Sequence, residues 1–219
     1  VSSVAVLVPV LNRPHRIAPL LESIEAATPE PHRVIFGCSD QPTVDELDRC
    51  GAWYVRDDGG AEGTWAKRIN RLYREVNEPY ILTGADDLAF RPGWFQAALQ
   101  TMGTLPEGSG VVGINDLHNP AGVHFFIARS YVENVGGVLD EPPGVVCCDV
   151  YPHSYTDDEI RATAQFHGRY AYSRESVIEH MHAGAGKAPH DEVYAMGLAS
   201  MGPGLAIFQS RAHLWQGRA

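Results

Sequence analysis

The chain opens on an unbroken apolar run, Val4-Ala5-Val6-Leu7-Val8-Pro9-Val10, rich in β-branched residues. A run without polar alternation reads as a strand buried on both faces, the mark of a parallel sheet. Asn12-Arg13-Pro14 then turns the chain. Ile17, Leu20, Leu21 and Ile24 recur at helical spacing, which predicts a helix over 15–27, ended by Pro29 and Pro31. The alternation repeats. Residues 33–38 predict a second strand closed by Ser39-Asp40. Thr43 is placed to cap a short helix to Arg49, with Glu46 completing a capping box. Residues 53–56 predict a third strand, with Trp53 in the core. Ile69, Leu72, Tyr73 and Val76 line one face of a helix over 65–76. Tyr80-Ile81-Leu82-Thr83 predicts a fourth strand, and 93–102 a further helix.

Strand followed by helix, repeated from the start, predicts an α/β domain with a mainly parallel sheet. After Pro106 the pattern changes. Residues 111–114 and 125–128 predict short strands, 131–135 a brief helix, 157–167 a helix and 171–182 a strand. From 191 onward the tail predicts helix, broken around Gly202-Pro203-Gly204. The reading is one domain over 1–219: a first half to 102, a second from 103 to 190, and a helical tail over 191–219.

In parallel sheets ligands collect at the carboxyl ends of the strands. Three predicted strands end in polar or charged residues: Pro9 leads to Asn12-Arg13, the second reaches Asp40, and the fourth runs through Gly84-Ala85 into Asp86-Asp87. Adjacent carboxylates at the mouth of a buried strand are costly without a cation. Magnesium or manganese suits such hard oxygen ligands. The plainer alternative is a loop cap. Asp157-Asp158 at a predicted helix start suits either a general base or simple favour for the helix N-terminus. His180 and His182 alternate on the predicted strand and so share a face, a credible metal-ligand spacing. Lys67, Arg68 and Arg71 lie on one helix, and Lys67 is the candidate to reach a phosphate. The Gly184-Ala185-Gly186-Lys187 loop lacks P-loop spacing.

Composition narrows the partners. With 219 residues and a formal charge of −10, the chain is a poor non-specific binder of nucleic acid. The four cysteines fall in no paired zinc pattern and read as buried free thiols in a reducing cytoplasm. No apolar stretch is long enough to span a membrane.

The ordered motifs VAVLVPVLNRPHRIAPLLESI, VIFGCSD, GGAEGTWAKRINRLY, YILTGADDLAFRPGW, GGVLDEP, YTDDEIRATA and VIEHMH together resemble the nucleotide-sugar glycosyltransferases of the GT-A fold, close to the large family 2. The resemblance covers roughly 4–182 and implies a Rossmann-type α/β/α sandwich. It implies an inverting, metal-dependent transferase that moves a sugar from a UDP- or GDP-linked donor to a hydroxyl acceptor of unknown identity. Pro9, Asn12, Arg13, Asp40, Lys67 and Asp86 would bind the donor. Asp87, with His182 or His180, would hold Mn2+ or Mg2+. One of Asp158 and Asp157 would be the base, with Asp158 preferred, and His182 is the preferred ligand. Ala85 stands where that family's first metal-motif acid is expected. A modified base in phage DNA fits as acceptor less well than a small molecule, given the charge. Two rivals are a nucleotide-sugar binding module with lost catalysis and a sugar-1-phosphate nucleotidyltransferase. The latter opens on a glycine-rich loop where this chain has Pro9-Val10-Leu11-Asn12-Arg13.

Overall fold

The computed structural model describes residues 2–60 and 63–216. In chain order its elements are β1 (Val4–Pro9), α1 (Ile17–Ala27), β2 (His32–Cys38), α2 (Gln41–Cys50), β3 (Trp53–Arg56), α3 (Trp65–Glu75), β4 (Tyr80–Thr83), β5 (Leu88–Phe90), α4 (Trp94–Met102), β6 (Val111–Asn115), β7 (Phe125–Ala128), α5 (Arg129–Asn134), α6 (Thr156–Phe166), β8 (Tyr170–His180) and α7 (Glu192–Arg211). The strands form one eight-stranded sheet in the order β3-β2-β1-β4-β7-β6-β8-β5.

Parallel pairing joins β3, β2, β1 and β4, and again β6 to β8. β7 runs against both its neighbours and β5 runs against β8. The sheet is therefore mixed but mostly parallel, as the repeated strand-helix pattern predicts. β1 lies between β2 and β4, and Val4 through Val8 are fully buried, which is why its sequence shows no alternation. Trp94 of α4 is fully buried against Phe90, Phe95 and Phe126, and its Nε1–H donates to Thr28 Oγ1 at 2.8 Å. Covering such a side chain contributes roughly 1.5–3 kcal/mol.

Several local expectations change. Asp40, not Thr43, caps α2: its Oδ1 accepts from Thr43 N–H at 2.9 Å, and the helix starts at Gln41-Pro42. Proline is tolerated in a first helical turn because its missing N–H would be unbonded there. Trp53 is exposed, with the Arg33 guanidinium 5.0 Å above its ring, because β3 is the sheet's edge strand. β5 has only three residues and pairs with β8, a contact that local periodicity cannot reveal. α7 runs unbroken for 20 residues through Pro203. Its small residues serve packing instead: a Cβ on Gly204 would stand 2.4 Å from the Ser154 carbonyl oxygen. β8 ends at His180, so His182 lies beyond the strand and caps a short 3-10 turn, its Nδ1 accepting from Gly184 N–H at 3.0 Å.

All four cysteines are free thiols, three buried and Cys50 half-buried. Among the described residues no helix is long and apolar enough to cross a membrane.

Candidate active site

The carboxyl ends of β1, β2, β3 and β4 meet on one edge. After β1, Asn12 takes a left-handed turn (φ 53°), and its N–H donates to Asp40 Oδ2 at 3.1 Å. Burial works against a charged Asp40, but the donors Thr43 and Asn12 outweigh it and hold the carboxyl below its usual range. Beside it Arg68 of α3 is buried and donates to Asp57 (2.6 and 3.0 Å), the Val10 carbonyl (2.8 Å) and Ser39 Oγ (2.9 Å). One guanidinium thereby ties three strand ends together. Lys67, on the same helix, is half-buried at a separate cavity of about 420 Å³ that Arg71, Arg74, Glu141 and Cys148 also line. The Ala61-Glu62 part of the GGAEG segment lies outside the described residues.

β4 delivers Asp86 and Asp87 to the same edge. Gly84 permits the approach: its N–H donates to the Leu7 carbonyl at 2.8 Å, and a Cβ there would lie 2.9 Å from that oxygen. Both carboxylates are nearly inaccessible, at 7% and 4% exposure. Arg13 NH1 donates to Asp86 Oδ1 at 3.2 Å, and its Nε and NH2 grip Asp191 at 2.8 and 2.7 Å. Asp191 is the N-cap of α7, and the Arg13 guanidinium lies 4.0 Å from the Tyr194 ring centroid one turn on. The Tyr194 hydroxyl donates to Asp87 Oδ2 at 2.8 Å. The start of α7 thus spans both Arg13 and Asp87.

The β5–β8 register sets Leu88 opposite His180, and Met181 N–H donates to the Asp87 carbonyl at 2.7 Å. This places His180 Nε2 3.2 Å from Asp87 Oδ1. Burial raises the proton affinity of Asp87, but its bonds from His180 and Tyr194 outweigh this and hold the carboxyl below the normal range. Burial, then the charge of Asp87, pushes Asp86 the other way, against the pull of Arg13. Two adjacent acids are driven apart by their surroundings, a pattern found where chemistry is done.

Histidines gather around this pair. The His180 ring centroid lies 4.9 Å from His124 and 4.9 Å from His182, and His182 lies 6.0 Å from His118. Burial, then the neighbouring His180, lowers His124 to about 4, so it stays neutral. Its Nδ1 faces the Thr83 carbonyl at 3.2 Å and must carry the proton, since a carbonyl only accepts. Burial likewise lowers His182 and His153. Three buried polar atoms here have no hydrogen-bond partner among the described residues: Asp116 Oδ2, His124 Nε2 and His180 Nδ1.

No three His, Cys, Asp or Glu side chains form a ready metal shell among the described residues. Asp87 Oδ1 and His180 Nε2 nonetheless stand 3.2 Å apart. Neighbouring ligands of an octahedral ion bound at ~2.1 Å are about 3 Å apart. The pair fits two positions on Mg2+ or Mn2+, with His182 one ring further out. Substrate phosphates and water usually complete such shells.

α6 opens at Thr156, after Tyr155 in a left-handed conformation (φ 74°). Asp158 is ion-paired with Arg161. Asp157 is half-buried; burial and then the charge of Asp158 push it up to about 6, against backbone N–H groups at the helix start that favour its charged form. Glu159 is buried and structural, accepting from Tyr151 at 2.6 Å and twice from Arg211 of α7 at 2.8 Å. His153, just before α6, packs against Gly197 of α7, where an added Cβ would stand 3.5 Å from its ring, so this helix start lies beside the helix whose first turn holds Arg13 and Asp87. Lys187 pairs with Glu179 at 2.9 Å.

Asp116, His124, Asp191 and Tyr194 carry no role in the sequence reading. Asp191 shows the one usable signal, an Asp directly before an unbroken helical stretch. Asp116 and His124 reach the site only through sheet order.

By sequence, no family model and no curated protein matches the chain. By structure, the fold is that of GT-A glycosyltransferases. A mannosyltransferase from Pyrobaculum calidifontis, solved with GDP-Man and Mn2+, superposes with a TM-score of 0.61 at 16% identity, over 80% of this chain and 56% of that one. Glucosyl-3-phosphoglycerate synthase from Mycobacterium tuberculosis, solved with Mn2+, UDP and glucosyl-3-phosphoglycerate, gives 0.59 at 15% identity, over 89% and 76%. S. aureus TarS (residues 1–349) gives 0.62 at 9% identity, over 81% and 59%. The chain thus spans little more than half of the mannosyltransferase, and the likeness establishes fold and kinship of architecture.

Proposed function

We propose that the chain is a metal-dependent, inverting glycosyltransferase that uses a UDP- or GDP-linked sugar and a hydroxyl acceptor. The observation that carries the reading is the Asp87–His180 pair, 3.2 Å apart beside Arg13 and Asp86 on the strand-end edge. That edge is where α/β sheets take their ligands. The Mn2+ and nucleotides bound by the structural neighbours add support.

Asp40 and the Asn12 turn would receive the nucleoside, with Pro9 beneath them at the end of β1. Arg13 would exchange Asp191 for diphosphate oxygens, a trade of one anion for another. Asp86 would then face ribose or sugar. Asp87 with His180, and His182 behind it, would hold Mn2+ or Mg2+, which supplies neutralisation of the leaving diphosphate. Asp157 is the better base on this reading. Its affinity near pH 6 suits proton uptake at neutral pH, whereas Asp158 is committed to Arg161. The acceptor oxygen bonds to the anomeric carbon, its proton passes to Asp157, and the electron pair of the broken bond leaves on the diphosphate. Lys67 would meet the donor only if the nucleotide extends along α3 toward its cavity.

Calorimetry with UDP, GDP and TDP, with and without Mn2+, tests the reading. At least one should bind more tightly with metal, and Asp87→Ala should remove that gain. No metal effect with any of the three would refute it. A binding module with lost catalysis is favoured by Ala85 in the metal motif; it predicts metal-dependent binding with neither transfer nor donor hydrolysis.

A further inference from the structure

Behind the His180 ring, two of the unpartnered polar atoms face each other. Asp116 directly follows β6 and is fully buried. Its Oδ1 accepts from the backbone N–H groups of His118 at 2.9 Å and Asn119 at 2.6 Å. Its Oδ2 has no hydrogen-bond partner and lies 3.9 Å from His180 Nδ1, also buried and unpartnered. The main chains are already joined, His180 N–H donating to the Asp116 carbonyl at 3.0 Å. The other ring nitrogen faces Asp87 at 3.2 Å.

We propose that Asp116 is a positioning residue that takes the Nδ1–H of His180 and so turns the Nε2 lone pair toward the cation held with Asp87. The inference rests on the metal-dependent reading above. A ring shift of about 1 Å brings Nδ1 and Oδ2 within hydrogen-bond range. It satisfies two buried polar atoms at once, and leaving each unmade is costly. A carboxylate on the far nitrogen of a ligating histidine fixes its tautomer and raises its basicity. His124 is the weaker acceptor: its proton is committed to the Thr83 carbonyl, and its free Nε2 is a neutral nitrogen, whereas Asp116 offers a carboxylate, which makes the stronger charge-assisted bond. His118 and His182 sit on the rim, where His182 Nδ1 already accepts from Gly184.

Asp116→Asn tests the assignment with little change of shape. Two backbone N–H groups require an oxygen at the Oδ1 position. The new amide NH2 must therefore face His180, where it donates to Nδ1 and forces the ring proton onto Nε2. In the metal-free protein, where Nε2–H donates to Asp87, imidazole nitrogen NMR should show His180 Nδ1 protonated as well in the wild type and unprotonated in the variant. Mn2+ affinity in the presence of UDP or GDP, read by electron paramagnetic resonance, should fall 10- to 100-fold. Metal-free nucleotide affinity should stay unchanged. In a His180→Ala background, Asp116→Asn should cost no further Mn2+ affinity. An unprotonated Nδ1 in the wild type, unchanged Mn2+ affinity in Asp116→Asn, or additive losses in the double variant would each overturn the proposal. If Asp116→Asn fails to fold, the wild-type NMR measurement decides alone. If the wild type takes up no Mn2+ with any nucleotide, the glycosyltransferase reading fails, while NMR still decides the Asp116–His180 contact.

Discussion

Two buried arginines on the same sheet edge make opposite use of their charge. Arg68 and Arg13 are 3% and 4% exposed. Every nitrogen of Arg68 is bonded to a strand end: the Asp57 carboxylate, the Val10 carbonyl and Ser39. Nothing in that network can leave without unfolding the edge. Arg13 instead shares itself between Asp86 and Asp191, and Asp191 belongs to α7, is about a third exposed and has no strand behind it. The first arginine is architecture. The second is held by a carboxylate that a diphosphate can replace. Unpartnered polar atoms of Asp116, His124 and His180 gather around the His180 ring, which lies against Asp87, the neighbour of Arg13's partner Asp86.

The largest effect expected from this contrast is on stability. Asp57→Ala leaves the Arg68 guanidinium buried without its anion and should cost ~3–5 kcal/mol in urea unfolding. Arg13→Met, at an edge where solvent can reach the orphaned Asp191, should cost clearly less. Equal losses would erase the distinction between a locked and an exchangeable arginine. Next in size is Asp87→Asn. It should keep the fold, since it removes a buried charge, yet lower metal-dependent nucleotide affinity about 100-fold, or ~2.7 kcal/mol. Retained metal dependence would place the ion elsewhere.

The two arginines also mark how far the sequence could be read. β1 to β4 and their helices are visible because each is local, with buried runs and helical periods that need no partner to be recognised. Asp86, Asp87, Asp40 and Arg13 follow, since strand ends are local features too. The Arg68–Asp57 bond is not visible, although both residues lie within one short stretch. A buried Arg on α3 looks like a solvated charge until the strand it covers is known. Tyr194 and Asp116 are further from view. Tyr194 reaches Asp87 across 107 positions. Asp116 reaches His180 only because β6 pairs with β8 in parallel. Likewise the spacing of His180 and His182 suggests one face of a strand, but the strand stops at His180 and the chain bends there.

A smaller effect separates Asp157 from Asp158. Burial and the charge of Asp158 hold Asp157 near 6, above its ordinary value, so it loses its proton only as pH rises through about 6. If Asp157 is the base, kcat/KM should climb through that range and level off above it. Asp158→Asn removes the second of the two causes and should move the rise to lower pH while transfer survives. Asp157→Asn should abolish transfer and spare nucleotide binding. The reverse outcome, loss with Asp158→Asn and a normal profile with Asp157→Asn, would hand the role to Asp158 despite its bond to Arg161.

The smallest effect addresses Arg13 directly. Its bond to Asp191 outweighs burial and helps hold that carboxyl at about 2, below its usual value. A depressed acid stabilises the fold above about pH 4 and loses that contribution as pH falls through 2. Solvent screening keeps it under about 1 kcal/mol. Asp191→Asn retains the helix cap, since Oδ1 can still accept from Tyr194 N–H, now at 3.0 Å. It removes only the anion that competes for Arg13. Acid unfolding should become slightly less steep, and metal-free binding of UDP or GDP should tighten a few-fold, roughly 0.5–1 kcal/mol. Unchanged nucleotide affinity would mean that Arg13 keeps Asp86 and never meets a phosphate, making the second arginine architectural like the first.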